Sequence, residues 1–133
     1  MSYLTLATLR FDEVVEFYSR RLGCPGVRRW DRPEGRGCLF QLPGLRLEIL
    51  DAAREKNPMR LPPPGDRIHL VLEVPDVDAA RRALGIETPE PITTSWGARM
   101  FTVRDPDGVA VCYLQWLGSE PTPKDSSGCP INP

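Results

Sequence analysis

Apolar and polar residues divide this chain into two halves that read alike. YLTLATL, Tyr3 to Leu9, has the composition of a strand, and DEVVEFYSRRLG follows as an amphipathic helix, capped by Asp12 and stopped by Gly23. VRRW, CLFQL and LRLEIL are then three short antiparallel strands, separated by turn-forming clusters at Pro33 to Gly35 and at Pro43 and Gly44. The first half is therefore β-α-β-β-β. DAAREKNPMRLPPPG, Asp51 to Gly65, reads as a stiff, extended linker because of its proline run. Beyond it the order recurs: RIHLVLEV as a strand, DVDAARRALG as a helix with Asp76 at its cap, then ITTSWG, ARMFTVR and VAVCYLQWL as strands, with DPDG as the last hairpin turn.

Fixed landmarks support a repeat. Gly44 before LRLEIL corresponds to Gly108 before VAVCYL, Glu48 falls opposite Cys112, and Tyr3 falls opposite His69. Period-two alternation places Ile68, Leu70, Leu72 and Val74 on one face of their strand and His69, Val71 and Glu73 on the other. Leu45, Leu47 and Ile49 likewise oppose Arg46, Glu48 and Leu50. A module of about 60 residues buries too little surface alone, so the two are expected to pack on each other or on a second chain, and a homodimer is expected. The domain reading is one unit over 1–117, with module one at 1–50, the linker at 51–65 and module two at 66–117, followed by a Pro/Ser-rich tail at 118–133.

Composition narrows the function classes. With 133 residues, 41% hydrophobic and 26% charged, the chain has the make-up of an ordinary globular domain with one core. A net charge of -1 argues against nucleic acid or an anionic membrane as partner, and the basic cluster of Arg20, Arg21, Arg28 and Arg29 comes with no recognition motif. No signal peptide or membrane span is visible, so a cytoplasmic location is expected. Cys24, Cys38, Cys112 and Cys129 contain no CxxC pair and read as thiols in a reducing compartment.

FDEVVEFYSRRLG resembles the first-helix signature of the glyoxalase, bleomycin-resistance and extradiol-dioxygenase superfamily, the vicinal oxygen chelate proteins. WGARMFTVRDPDGVAVCYLQW, Trp96 to Trp116, resembles that superfamily's closing hairpin, in which Trp-Gly, Arg, Phe and a DPDG turn lead into the final strand. The resemblance implies an α+β fold of two βαβββ modules forming an incomplete barrel around a cup, with helices outside. In metal-dependent members, the first and fourth strands of each module supply the ligands. Here those positions are Tyr3, Glu48, His69 and Cys112, and only Glu48 and His69 keep the usual donor chemistry.

Two donors make a weak site for a divalent ion, although a Cys112 thiolate is chemically able to be a third. The expected function is therefore metal-free binding of an aromatic or amphipathic small molecule in the cup, of the bleomycin-resistance type. The alternative is a glyoxalase-like lyase, isomerase, epimerase or dioxygenase, dependent on Zn, Mn, Ni or Fe held by Glu48, His69 and, in one variant, Cys112. A third reading makes Glu48 and His69 a metal-free acid/base pair. The candidate ligand-binding residues are Tyr3, Glu48, His69, Trp96, Arg99, Phe101 and Cys112. Flat rings can stack on a planar ligand, and Arg99 can offer a fork to a carboxylate or phenolate or pair with Asp105.

Overall fold

The computed structural model describes residues 2–63, 65–85 and 87–118. The tail reading and Cys129 lie outside the described residues. Module one runs β1 (Leu4–Thr8), α1 (Phe11–Glu16), β2 (Gly26–Arg32), β3 (Gly35–Leu42) and β4 (Leu45–Asp51). Module two runs β5 (His69–Glu73), α2 (Val77–Leu84), β6 (Ile92–Thr93), β7 (Ala98–Arg104) and β8 (Ala110–Trp116). Each module forms its own four-stranded mixed sheet, in the orders β1-β4-β3-β2 and β5-β8-β7-β6. The outer strand β1 or β5 pairs parallel to the last strand of its module, and the remaining pairs are antiparallel.

The repeat holds at residue level. Thr5 opposes Glu48, and Val71 opposes Cys112, so Tyr3 and His69 stand two residues before equivalent positions. The expected last module-two strands are also present, but ITTSWG contributes only Ile92 and Thr93 before the chain turns.

The first helix departs from expectation at its cap and in its last turn. Asp12 lies inside α1, whose cap position is Arg10, because the chain leaves β1 through a turn in which the Arg10 amide donates to Thr8 Oγ1. After Glu16 the helix widens into a π-helical turn, Phe17–Arg21, with the Leu22 amide donating to the Phe17 carbonyl at 2.9 Å. Gly23, at φ +67°, ends it as read from the sequence. In α2 the expected cap is present: Asp76 Oδ1 accepts from the Ala79 amide at 3.0 Å.

One apolar core joins the modules. It takes Val14, Tyr18 and Leu22 from the first helix, Phe40, Leu47 and Ile49 from β3 and β4, and Leu70, Leu72, Phe101 and Tyr113 from module two. Polar contacts fix the same junction. Tyr18 Oη donates to buried Asp105 at 2.9 Å, Arg10 reaches the Pro106 carbonyl at 2.6 Å, and Arg21 reaches the Leu84 carbonyl at 2.6 Å. Burial pushes the Tyr18 hydroxyl far above its ordinary range, with Asp105 adding to it, so Tyr18 stays a donor. Leu47 and Ile49 oppose Glu48 on their strand, and Leu70 and Leu72 oppose His69 on theirs. The face carrying Glu48 and the face carrying His69 are therefore both turned away from the common core.

Candidate functional site

Each sheet thus has an outward face, and strand register identifies what lies on it. In module one the row Trp30, Gly37, Leu50, Ala7 runs across all four strands, beside the row Arg28, Leu39, Glu48, Thr5. Thr5 Oγ1 donates to Glu48 Oε1 at 3.0 Å, and Arg46 Nε donates to Gln41 Oε1 at 3.0 Å. Trp30 sits against Gly37 so closely that a β-carbon there would lie 2.2 Å from its ring. Only glycine leaves room for the indole.

Module two's outward face has another make-up. Thr102, Cys112 and Val71 form one row, and Met100, Leu114 and Glu73 the next. Ala98, Cys112 and Leu114 form a small buried cluster, flanked by Met100 and Trp116. Trp116 donates from Nε1 to Glu73 at 3.1 Å and meets Trp96 edge-on, with ring centroids 5.6 Å apart. At the other end, His69 Nε2 donates to the Asp66 carbonyl at 3.0 Å. Arg104, across Ala110 from His69, pairs with Asp66 at 2.9 Å.

The seven expected ligand-contacting residues do not stay together. Tyr3 and Glu48 belong to module one's outward side, with Tyr3 half exposed, whereas His69, Trp96 and Cys112 belong to module two's. Arg99 and Phe101 lie on the opposite face of β7, toward the helix and the core. Arg99 donates through Nε and Nη2 to both carboxylate oxygens of Asp78 on α2 at 3.0 Å, and so does not pair with Asp105. That hydrogen-bonded guanidinium holds the Asp78 carboxyl below its usual range. Phe101 is buried and stacks on Tyr113, centroids 5.0 Å apart. Conversely, Trp116, Trp30, Glu73 and Thr5 are outside the expected contact set, with Trp116 ranked below Trp96 and Tyr3, although counting in twos from Cys112 reaches Trp116 directly.

The donor set can be tested against a divalent ion. Among the described residues, no three His, Cys, Asp or Glu side chains come together in a way that could hold one. Glu48 and His69 stand on different sheets. Cys112 is buried and desolvation raises its thiol, which disfavours the thiolate a metal needs. Within one chain these residues do not fit a bound metal. No helix among the described residues is long and apolar enough to cross a membrane.

Solved structures with this architecture are numerous. A glyoxalase/bleomycin resistance protein/dioxygenase from Nocardioides is 27% identical, with a TM-score of 0.67 over 92% of this chain and 87% of that one. A bleomycin-binding protein solved with bleomycin is 25% identical, with a TM-score of 0.60 over 86% and 97%. Lactoylglutathione lyase from Agrobacterium tumefaciens, 20% identical with a TM-score of 0.62 over 86% and 92%, shares the fold. No curated protein matches the sequence significantly. The superfamily's sequence profile matches residues 1–113, and with the paired sheets this shows that the chain belongs to the Glyoxalase/Bleomycin resistance protein/Dioxygenase superfamily.

Proposed function

We propose that this protein binds an aromatic or amphipathic small molecule without a metal, in a manner like that of the bleomycin-binding relative. The observation that carries this reading is the pairing of aromatic outward faces with a broken donor set. Trp30 in module one and Trp96 and Trp116 in module two offer flat surface, while Tyr3 and Cys112 stand at two of four metal positions. The relative that binds bleomycin supports it at 25% identity.

Each chain has one outward face of each kind, turned from its own core, so the reading includes a homodimer. Module one of one copy would face module two of the next, and two equivalent binding sites would result. Tyr3, Val71 and Trp96, each at least half exposed, are apolar surface that such pairing would cover.

Three measurements on the full chain test it. Tryptophan emission should quench saturably with planar ligands, light scattering should give twice the chain mass, and protein purified without chelator should hold no stoichiometric metal. Bound zinc, manganese, nickel or iron that disappears in His69→Ala would overturn the metal-free reading and favour the lyase, isomerase, epimerase or dioxygenase alternative.

A further inference from the structure

Anion recognition was one of two roles open to Arg99, but both carboxylate oxygens of Asp78 occupy that guanidinium on the helix side. On the outward faces, Arg104 is likewise engaged by Asp66. Two arginines on module one's outward side differ. Arg46 is held by the neutral amide oxygen of Gln41, and Arg28 makes no ion pair among the described residues. Glu48 is the acid on the same pair of rows, and its Oε1 accepts from Thr5, so one positive charge remains in excess over these three groups.

Arg28 also reaches over an aromatic surface. It is two residues from Trp30 on the same strand face, and its guanidinium carbon lies over the Trp30 ring, 5.4 Å from the centroid. Trp30 in turn rests against Gly37, which fixes the ring's height above the sheet. A rigid flat ring under an unneutralised guanidinium matches one ligand class, because the exposed Arg28 head can move off the ring to meet an anion as the ligand's plane takes its place. Stacking takes an aromatic plane, and the planar fork of Arg28 takes a carboxylate or similar oxyanion attached to it.

We propose that Trp30, seated on Gly37, and Arg28 form a subsite for a planar aromatic anion such as an aryl carboxylate. The inference rests on the small-molecule-binding reading and adds the ligand's charge and the residues that read it. The ring supplies affinity for any flat ligand; the guanidinium discriminates the acid from its neutral analogue.

Titration calorimetry of the full chain with 2-naphthoate and 2-naphthamide separates these roles. Naphthoate should bind about tenfold more tightly than naphthamide, as a charge-assisted hydrogen bond would give. Arg28→Gln should abolish that preference and leave naphthamide affinity unchanged. Trp30→Ala should weaken both compounds about tenfold. Arg20→Gln, a remote exposed arginine, should change neither. Equal affinity for the two compounds, or a preference that survives Arg28→Gln, overturns the subsite while leaving small-molecule binding intact. Failure of both compounds to bind also overturns the subsite; the wider reading falls with it only when neutral planar ligands fail to quench tryptophan emission as well.

Discussion

Trp30 and Trp116 each lie on the outward face of a sheet, and the chain has put different things beneath them. Under Trp30 is a glycine with no side chain, with Leu50 opposite it and Ala7 one strand beyond, and Arg28 lies over the ring. Trp116 packs against a finished apolar cluster, Ala98, Cys112 and Leu114, with its nitrogen tied to Glu73. One register, repeated, thus yields an indole seated on bare backbone in module one and an indole packed on an apolar cluster in module two. Duplicated topology fixes where side chains point, whereas chemistry at matched positions is free to diverge.

Removing the two supports separately sharpens this contrast. Trp116→Ala should have the larger effect, lowering unfolding free energy by about 2 kcal/mol, since the ring covers buried apolar groups but is itself only partly buried. Urea denaturation measures the loss, and Cys112 should become reactive toward an aromatic disulfide reagent. A thiol that stays protected in the folded variant would mean that Trp116 is not its cover.

Gly37→Ala acts on the other face. The added methyl meets the Trp30 ring at 2.2 Å, and displacing the indole should cost about 1–2 kcal/mol. In a Trp30→Ala background the clash partner is gone, and the same substitution should cost almost nothing. An equal cost in both backgrounds would show that Gly37 is needed for some reason other than Trp30.

Much of this architecture was readable in the residues, and the failures have physical causes. The faces of β5 followed from strict alternation of His69, Val71 and Glu73 with Leu70 and Leu72, because one face is buried and the other is not. The partner of Arg99, offered as either a ligand anion or Asp105, was not legible because apolar residues occupy both sides of β7: Ala98 and Met100 on one, Phe101 and Val103 on the other. Alternation then carries no signal about which side faces the helix, and Asp78, 21 residues away, settles it. The Trp30–Gly37 contact depends on a two-residue turn at Pro33 and Glu34. The sequence showed only a turn-forming cluster from Pro33 to Gly35, and a one-residue error there moves Trp30 to the other face. Glu48 and His69 were each assigned correctly to a strand face, but how two modules sit is decided by helix packing and by Tyr18 reaching Asp105, which no local pattern reveals.

The hairpin turns offer the smallest and most selective test of the comparison. Module one closes β3 and β4 with Leu42 opposite Leu45, around Pro43 and Gly44, and Leu42 is buried. Module two closes β7 and β8 with Asp105 opposite Val109, and that carboxylate is buried too. Asp105 Oδ1 accepts from the Asp107 and Val109 amides at 2.9 Å while Oδ2 accepts from Tyr18. Burial still outweighs these bonds and raises its pKa above the ordinary carboxyl value, with the Asp107 charge adding to the rise. Because the folded state holds this proton more tightly than the unfolded chain, the associated stability is fully present below about pH 4. It is lost as pH climbs through the raised folded value. Asp78, held low by Arg99, has the opposite sign and acts at lower pH, where its contribution disappears on acidification. Asp105→Asn keeps an oxygen for the turn amides and removes the titration, so its urea midpoint should lack the decline that the parent shows above pH 4. Leu42→Met, in the matching turn, should leave that decline unchanged. A decline that persists in Asp105→Asn would place the titrating group elsewhere and remove this chemical distinction between the two turns.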